Sequence, residues 1–154
     1  MLDRAKAKPP SRRPAAKSPP YVLDDQIGFL LRVAMQRHTA IFVSQMTDKL
    51  TQTQFAALAK LLEVGPCSQN QLGRLIYLDA ATTKGVVDRL EVRALITARP
   101  DANDRRRRAI ALTEAGRAVA DAAIRVARKI THQTLTPLTA AEQKAVIGLL
   151  RKLA

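Results

Sequence analysis

Between Leu23 and Thr47, apolar residues fall at Leu23, Ile27, Leu30, Leu31, Ala34, Ile41 and Phe42, the recurrence of one helical face. The spacing predicts a long amphipathic helix. Phe29, Val33, Met35, Val43 and Met46 lie off that stripe. A helix apolar on more than one side requires more than one partner, and in so short a chain the second is expected to be another subunit. Three helix starts follow, each pairing a hydroxyl with an amide or acid three residues on: Thr51 with Gln54, Ser68 with Gln71, and Thr139 with Glu142. These are capping-box spacings. The first helix, TQFAALAKLLE, stops at Gly65-Pro66, and the second turns Leu72, Leu75 and Ile76 toward a core. Asp79 caps a third, AATTKGVVDRLEVR, with Val86, Val87 and Leu90 as its buried side. Two short helices joined so tightly have helix-turn-helix form. Leu95 to Arg99 and Arg106 to Leu112 then predict a strand pair around the loop from Pro100 to Asp104. Thr113 caps a helix to about Leu135, and a last helix runs from Thr139 to about Leu153. Its stripe of Val146, Ile147, Leu150 and Leu153 is a second expected dimer contact.

The fold class is therefore mainly α with a small β-hairpin. A winged helix-turn-helix lobe occupies 50–113, and helices at 22–49 and 114–154 form a dimerisation region. Composition agrees: aromatics are 3% of the 154 residues and Trp is absent, so the core must come from Leu, Val, Ile and Ala on packed helices. Residues 1–21 hold five of the eight prolines and six basic residues against Asp3, a composition that cannot bury a core and reads as a disordered basic tail.

Charge narrows the partner. With 26 Lys and Arg against 13 Asp and Glu, the net charge is +13, which points to a polyanion. No segment has the ~18 consecutive apolar residues of a membrane span, and the basic N-terminus has no apolar stretch behind it, so neither a membrane nor a secretory route is expected. One cysteine, Cys67, excludes an internal disulfide and leaves the cytoplasm as the expected compartment. No glycine-rich phosphate loop, nucleophile–base pair or metal cluster is evident, so neither an enzyme nor a cofactor is expected.

Double-stranded DNA is the polyanion the motifs favour. Arg105, Arg106, Arg107 and Arg108 form four consecutive arginines on the hairpin, beside Asp104, and such an element can insert guanidinium into a narrow minor groove. Ala80, Ala81, Thr82, Thr83 and Lys84 open the third helix with small, polar or cationic groups fit for the major groove. Ser68, Gln69 and Asn70 begin the preceding helix, where free N–H groups favour phosphate. Arg89 is expected on the backbone rather than on bases. The rival reading is a nonspecific architectural DNA-binding protein whose tail and wing supply the attraction.

The stretch from Leu50 to about Arg117 resembles the multiple-antibiotic-resistance regulator (MarR) family: LTQTQFAALAKL, then SQNQLGRLIYLDAATTKGVVDRLEVRALI, then RPDANDRRRRAIALTEAG. The most specific pieces are VDRLE before an apolar strand, and Asp104-x-Arg106 before LTEAG. The resemblance implies a two-fold homodimer, a wing arginine at Arg106 positioned by Asp104, and base reading by Ala80 to Lys84. It also implies repression relieved by a small aromatic acid or its thioester. For that ligand the first helix offers Arg32, Arg37 and His38 near Met35 and Phe42. Redox sensing is not expected, because no cysteine lies on that helix. Two positions depart from the family pattern: Ala94 stands where glycine is usual, and Gly85 where a bulkier residue is common.

Overall fold

The computed structural model describes residues 20–100 and 108–153. A 3-10 turn at Leu23–Asp25 precedes α1 (Ile27–Gln45). The helix expected from Leu23 is interrupted because Gln26 is extended, its side-chain amide donating to the Val22 carbonyl at 3.0 Å. At the other end Met46 is extended, and Asp48 and Lys49 take left-handed φ of 55° and 49° in a second 3-10 turn. There follow α2 (Gln52–Val64), α3 (Gln69–Leu75), α4 (Ala80–Val92), β1 (Ile96–Pro100), β2 (Arg108–Leu112), α5 (Glu114–Leu135) and α6 (Ala140–Leu153).

Side chains satisfy the orphan amides at the helix starts. Thr51 Oγ1 accepts from the Gln54 amide at 3.2 Å while Gln54 Oε1 accepts from the Thr51 amide at 3.0 Å. Thr139 and Glu142 exchange the same pair of bonds. At Ser68 only half of the expected box forms among the described residues: Oγ accepts from the Gln71 amide at 3.2 Å.

The helix-turn-helix pair also shares one way of stopping. After α4, the Leu95 amide donates to Leu90 O at 3.0 Å and the Ala94 amide to Glu91 O at 2.8 Å. After α3, the Leu78 amide reaches Gly73 O at 2.9 Å and the Tyr77 amide Arg74 O at 3.4 Å. These are Schellman motifs, which place the residue after the cap in the left-handed region that glycine favours. Here alanine and tyrosine fill it, Ala94 at φ 54° and Tyr77 at φ 56°. Left-handed backbone costs a non-glycine residue about 1–2 kcal/mol, and glycine's greater unfolded-state freedom returns part of that. Ala94→Gly is therefore expected to raise stability by about 0.5–1 kcal/mol in denaturant unfolding; a loss would show that the methyl group packs usefully.

The main core, built on the lobe from α2 to β2, gathers Leu58, Leu61, Leu72, Val86, Leu90 and Ile96, sealed by Ala120 and Ala123 of α5. The strands pair antiparallel from Ile96↔Leu112 to Pro100↔Arg108, and Cys67 adds a bridge to Ile110 on the other edge of β2. Burial, at 4% exposure, pushes the Cys67 thiol up from its ordinary pKa, so the thiolate favoured at a helix start is disfavoured here. The second half of α5 leaves this lobe and packs on α1: Ile130 is buried, and His38 Nδ1 meets Thr134 Oγ1 at 3.0 Å.

Within one chain the predicted stripe on α1 is covered only at its C-terminal end. Of its predicted residues only Phe42 is buried, with Ile41 half-buried, whereas Ile27, Leu30 and Leu31 are exposed, as are Ile147, Leu149, Leu150 and Leu153 of α6. The first half of α1 stays largely exposed, with Phe29 alone of its large apolar residues half-buried. Leu75, expected to face the core, is half-buried.

Candidate nucleic-acid interface

The helix expected from the sequence to read bases is α4, and its start is built around Asp79. Oδ1 accepts from the Thr82 amide at 2.8 Å and Oδ2 from the Thr82 hydroxyl at 2.7 Å. These backbone and side-chain bonds hold the Asp79 carboxyl below its ordinary pKa. A lowered folded-state value means that the cap is fully formed above the ordinary carboxylate range and is lost only as pH falls through the lowered value. The single acid at this helix start is thus engaged with the helix's own amides.

The five residues named for base reading divide. Ala80, Ala81, Thr82 and Lys84 are exposed, but Thr83 is 1% exposed, its hydroxyl donating to Asp79 O at 2.7 Å. The expectation that Thr83 faces the groove is therefore corrected. It shares the inward face with Val86, Val87 and Leu90 and wedges against α3, where a Cβ on Gly73 would stand 2.7 Å from its Oγ1. Glycine at 73 is what lets α3 and α4 approach so closely.

Around that face, Lys84 Nζ pairs with Asp88 Oδ2 at 2.6 Å, and the Arg89 guanidinium lies over Gly85, where a Cβ would come within 3.3 Å of Nη1. Ser68 and Gln69 are half-buried and Asn70 is exposed at the start of α3. Arg93, at the end of α4, donates from Nη2 to Asp48 O at 2.8 Å, tying the reading helix to the left-handed turn after α1. Arg99 and Arg108 are exposed on the hairpin, while Asp104, Arg105, Arg106 and Arg107 lie outside the described residues. Because Lys84 and Asp88 are both well exposed, their pairing stabilises little. Lys84→Ala is expected to leave stability within about 0.5 kcal/mol, to weaken DNA binding evenly across sequences, and to lower the salt slope by about one. An unchanged slope would remove Lys84 from the interface.

The five residues named for a ligand also divide. Met35, His38 and Phe42 line one cavity of about 280 Å³ with Gln52, Phe55 and Thr131, between α1, α2 and α5. Arg32 instead stacks on Phe29, 5.0 Å from the ring centroid, and Arg37 donates to Gln133 O at 3.3 Å. Neither lines that cavity. A wider cavity of about 550 Å³ lies on the other side of Phe42 and Gln52, bordered by Val43, Met46, Lys49 and Thr51.

A capped reading helix wedged on a second short helix, with a hairpin packed beside it, defines a winged helix-turn-helix DNA-binding protein. The comparisons make the assignment narrower. The MarR family pattern matches residues 50–107. The transcriptional repressor NicR of Pseudomonas putida is 43% identical over 150 residues, covering 97% of this chain and 94% of that protein. A protein of known crystal structure from Pseudomonas aeruginosa is 52% identical with a TM-score of 0.83, covering 86% of this chain and all (100%) of that one. BpsR of Bordetella bronchiseptica, whose DNA binding is regulated by 6-hydroxynicotinic acid, is 40% identical with a TM-score of 0.82, covering 88% of this chain and 97% of that one. The chain belongs to the MarR family and is a DNA-binding transcriptional regulator. No helix among the described residues is long and apolar enough to cross a membrane.

Proposed function

We propose that the protein is a homodimeric repressor that leaves its operator when a small hydroxylated aromatic acid of the 6-hydroxynicotinic acid type occupies the cavity beside His38. The observation that carries this reading is its likeness along nearly the whole chain to NicR and BpsR, the first a repressor and the second regulated by that acid. The cavity suits the chemistry. Met35, Phe42, Phe55 and Ile130 offer an apolar wall, and Gln52, Thr131 and His38 offer a few polar groups. With His38 Nδ1 engaged by Thr134, Nε2 is the nitrogen left for a carboxylate. Arg32 precedes Met35 by three residues, the spacing of one helix face, but its guanidinium lies over Phe29, and Arg37, nearer in sequence, is turned to Gln133, so His38 is the group assigned to the carboxylate.

Two copies meet through the uncovered apolar faces of α1 and α6. Their reading helices then enter successive major grooves of a pseudo-palindrome, with half-sites about 34 Å apart. The wing arginines Arg105 to Arg108 reach the flanking minor groove.

Titrating 6-hydroxynicotinic acid into the protein bound to a fluorescent operator duplex tests the reading. Release is expected, together with a raised thermal midpoint of the free protein. His38→Ala should abolish both effects while keeping operator affinity. Unchanged anisotropy and midpoint across a panel of aromatic acids would overturn the effector, and equal affinity for unrelated duplexes would overturn the operator.

A further inference from the structure

We infer that the turn joining α3 to α4 is itself a DNA contact, in which Tyr77 donates its phenol hydroxyl to a phosphodiester oxygen and Arg74 pairs with the same strand. Tyr77 breaks a local rule without compensation inside the fold. It occupies the left-handed position of the α3 Schellman motif, φ 56°, where glycine fits freely and a bulky aromatic residue is an outlier. Its side chain is 83% exposed, and its hydroxyl has no hydrogen-bond partner among the described residues. Ala94 takes the same backbone at the end of α4, but Tyr77 adds a large exposed side chain with a hydroxyl, and an outlier of that kind points to something outside the chain.

Placement says what that is. Tyr77 lies two residues ahead of Asp79, the cap of the reading helix. Arg74 is exposed in the last turn of α3, makes no ion pair among the described residues, and borders the cleft between α3 and the first turn of α4 with Asn70 and Ala80. A cation and a phenol therefore flank the end of the helix that enters the major groove. Asp79, two residues after Tyr77, has both carboxylate oxygens engaged by the Thr82 amide and hydroxyl. Tyrosine and arginine are among the side chains that position a protein on phosphate.

The inference rests on operator binding alone, and the effector plays no part in it. The probe is a duplex selected from a random pool by the parent protein, titrated with the full chain by fluorescence anisotropy at several salt concentrations. Failure of the parent to select or hold a duplex would overturn operator binding itself. With the parent bound, Y77G should bind about tenfold more weakly yet melt a few degrees higher, because relief of the backbone and loss of the contact act in opposite directions. Y77F should lose a similar factor with an unchanged midpoint. R74A should lower the salt slope by about one. Parent-like affinity in Y77G and Y77F would overturn the inference, as would a lowered midpoint in Y77G, which would make Tyr77 a structural residue. An unchanged slope in R74A would overturn the part assigned to Arg74.

Discussion

Gly116→Ala should lower the thermal midpoint by about 10 °C, from a loss of about 3 kcal/mol or more. In most helical positions the same change stabilises by about 1 kcal/mol, so here even the sign is diagnostic. A Cβ at 116 would stand 1.7 Å from the Leu95 carbonyl oxygen. That oxygen cannot step aside, because it accepts from the Thr113 amide at 3.1 Å. Thr113 is itself held twice, its hydroxyl donating to Ala94 O at 2.7 Å and accepting from the Gly116 amide at 2.9 Å. Relief would require moving the start of α5 off the strand, opening the seal that Ala120 places over the lobe core. A midpoint at or above the parent's would show that this junction yields more easily than its geometry indicates.

Gly73→Ala is expected to cost about 2 kcal/mol and to weaken operator binding about tenfold. Its added methyl would meet Thr83 Oγ1 at 2.7 Å and the Leu78 carbonyl at 3.2 Å, so α3 and α4 must part. Thr83→Ala in the same chain removes the closer obstacle. The double variant should then lose less than the sum of the singles, by a coupling of about 1 kcal/mol. Additive losses in chemical denaturation would mean that the two residues do not oppose one another.

What could be read from the chain follows from how local each cause is. Thr51 with Gln54, Asp79, Thr113, and Thr139 with Glu142 act on amides two or three residues away, so the helix starts stood in the sequence. Thr83 carries the signal of its buried place: it precedes Val86, Val87 and Leu90 by three, four and seven residues, the spacing of one buried face, though its polar side chain suggests the groove. Tyr77 carries no local signal of a helix stop, because the usual signal is glycine; at Ala94 the stop is legible only through the family resemblance, which has glycine at that position. On α1 the pattern showed surplus apolar surface but not which part meets α5, since hydropathy does not distinguish an internal neighbour from a second copy. Arg37 sits beside His38 in sequence, yet adjacent helical residues are turned about 100° apart, and it points its guanidinium to Gln133 rather than into the cavity.

Leu95 joins more of the molecule than its size suggests. Its amide closes the reading helix on Leu90, its side chain is buried in the lobe core, and its carbonyl receives Thr113. Its next residue begins the wing. Three elements are thereby joined at one residue, so that helix, wing and the start of α5 are referenced to a common point. In a two-fold dimer, a ligand lodged between α1 and α5 would have little purchase on the angle between reading helix and wing. It would act on the distance between two such lobes, so that a half-site is released as a whole and not base by base.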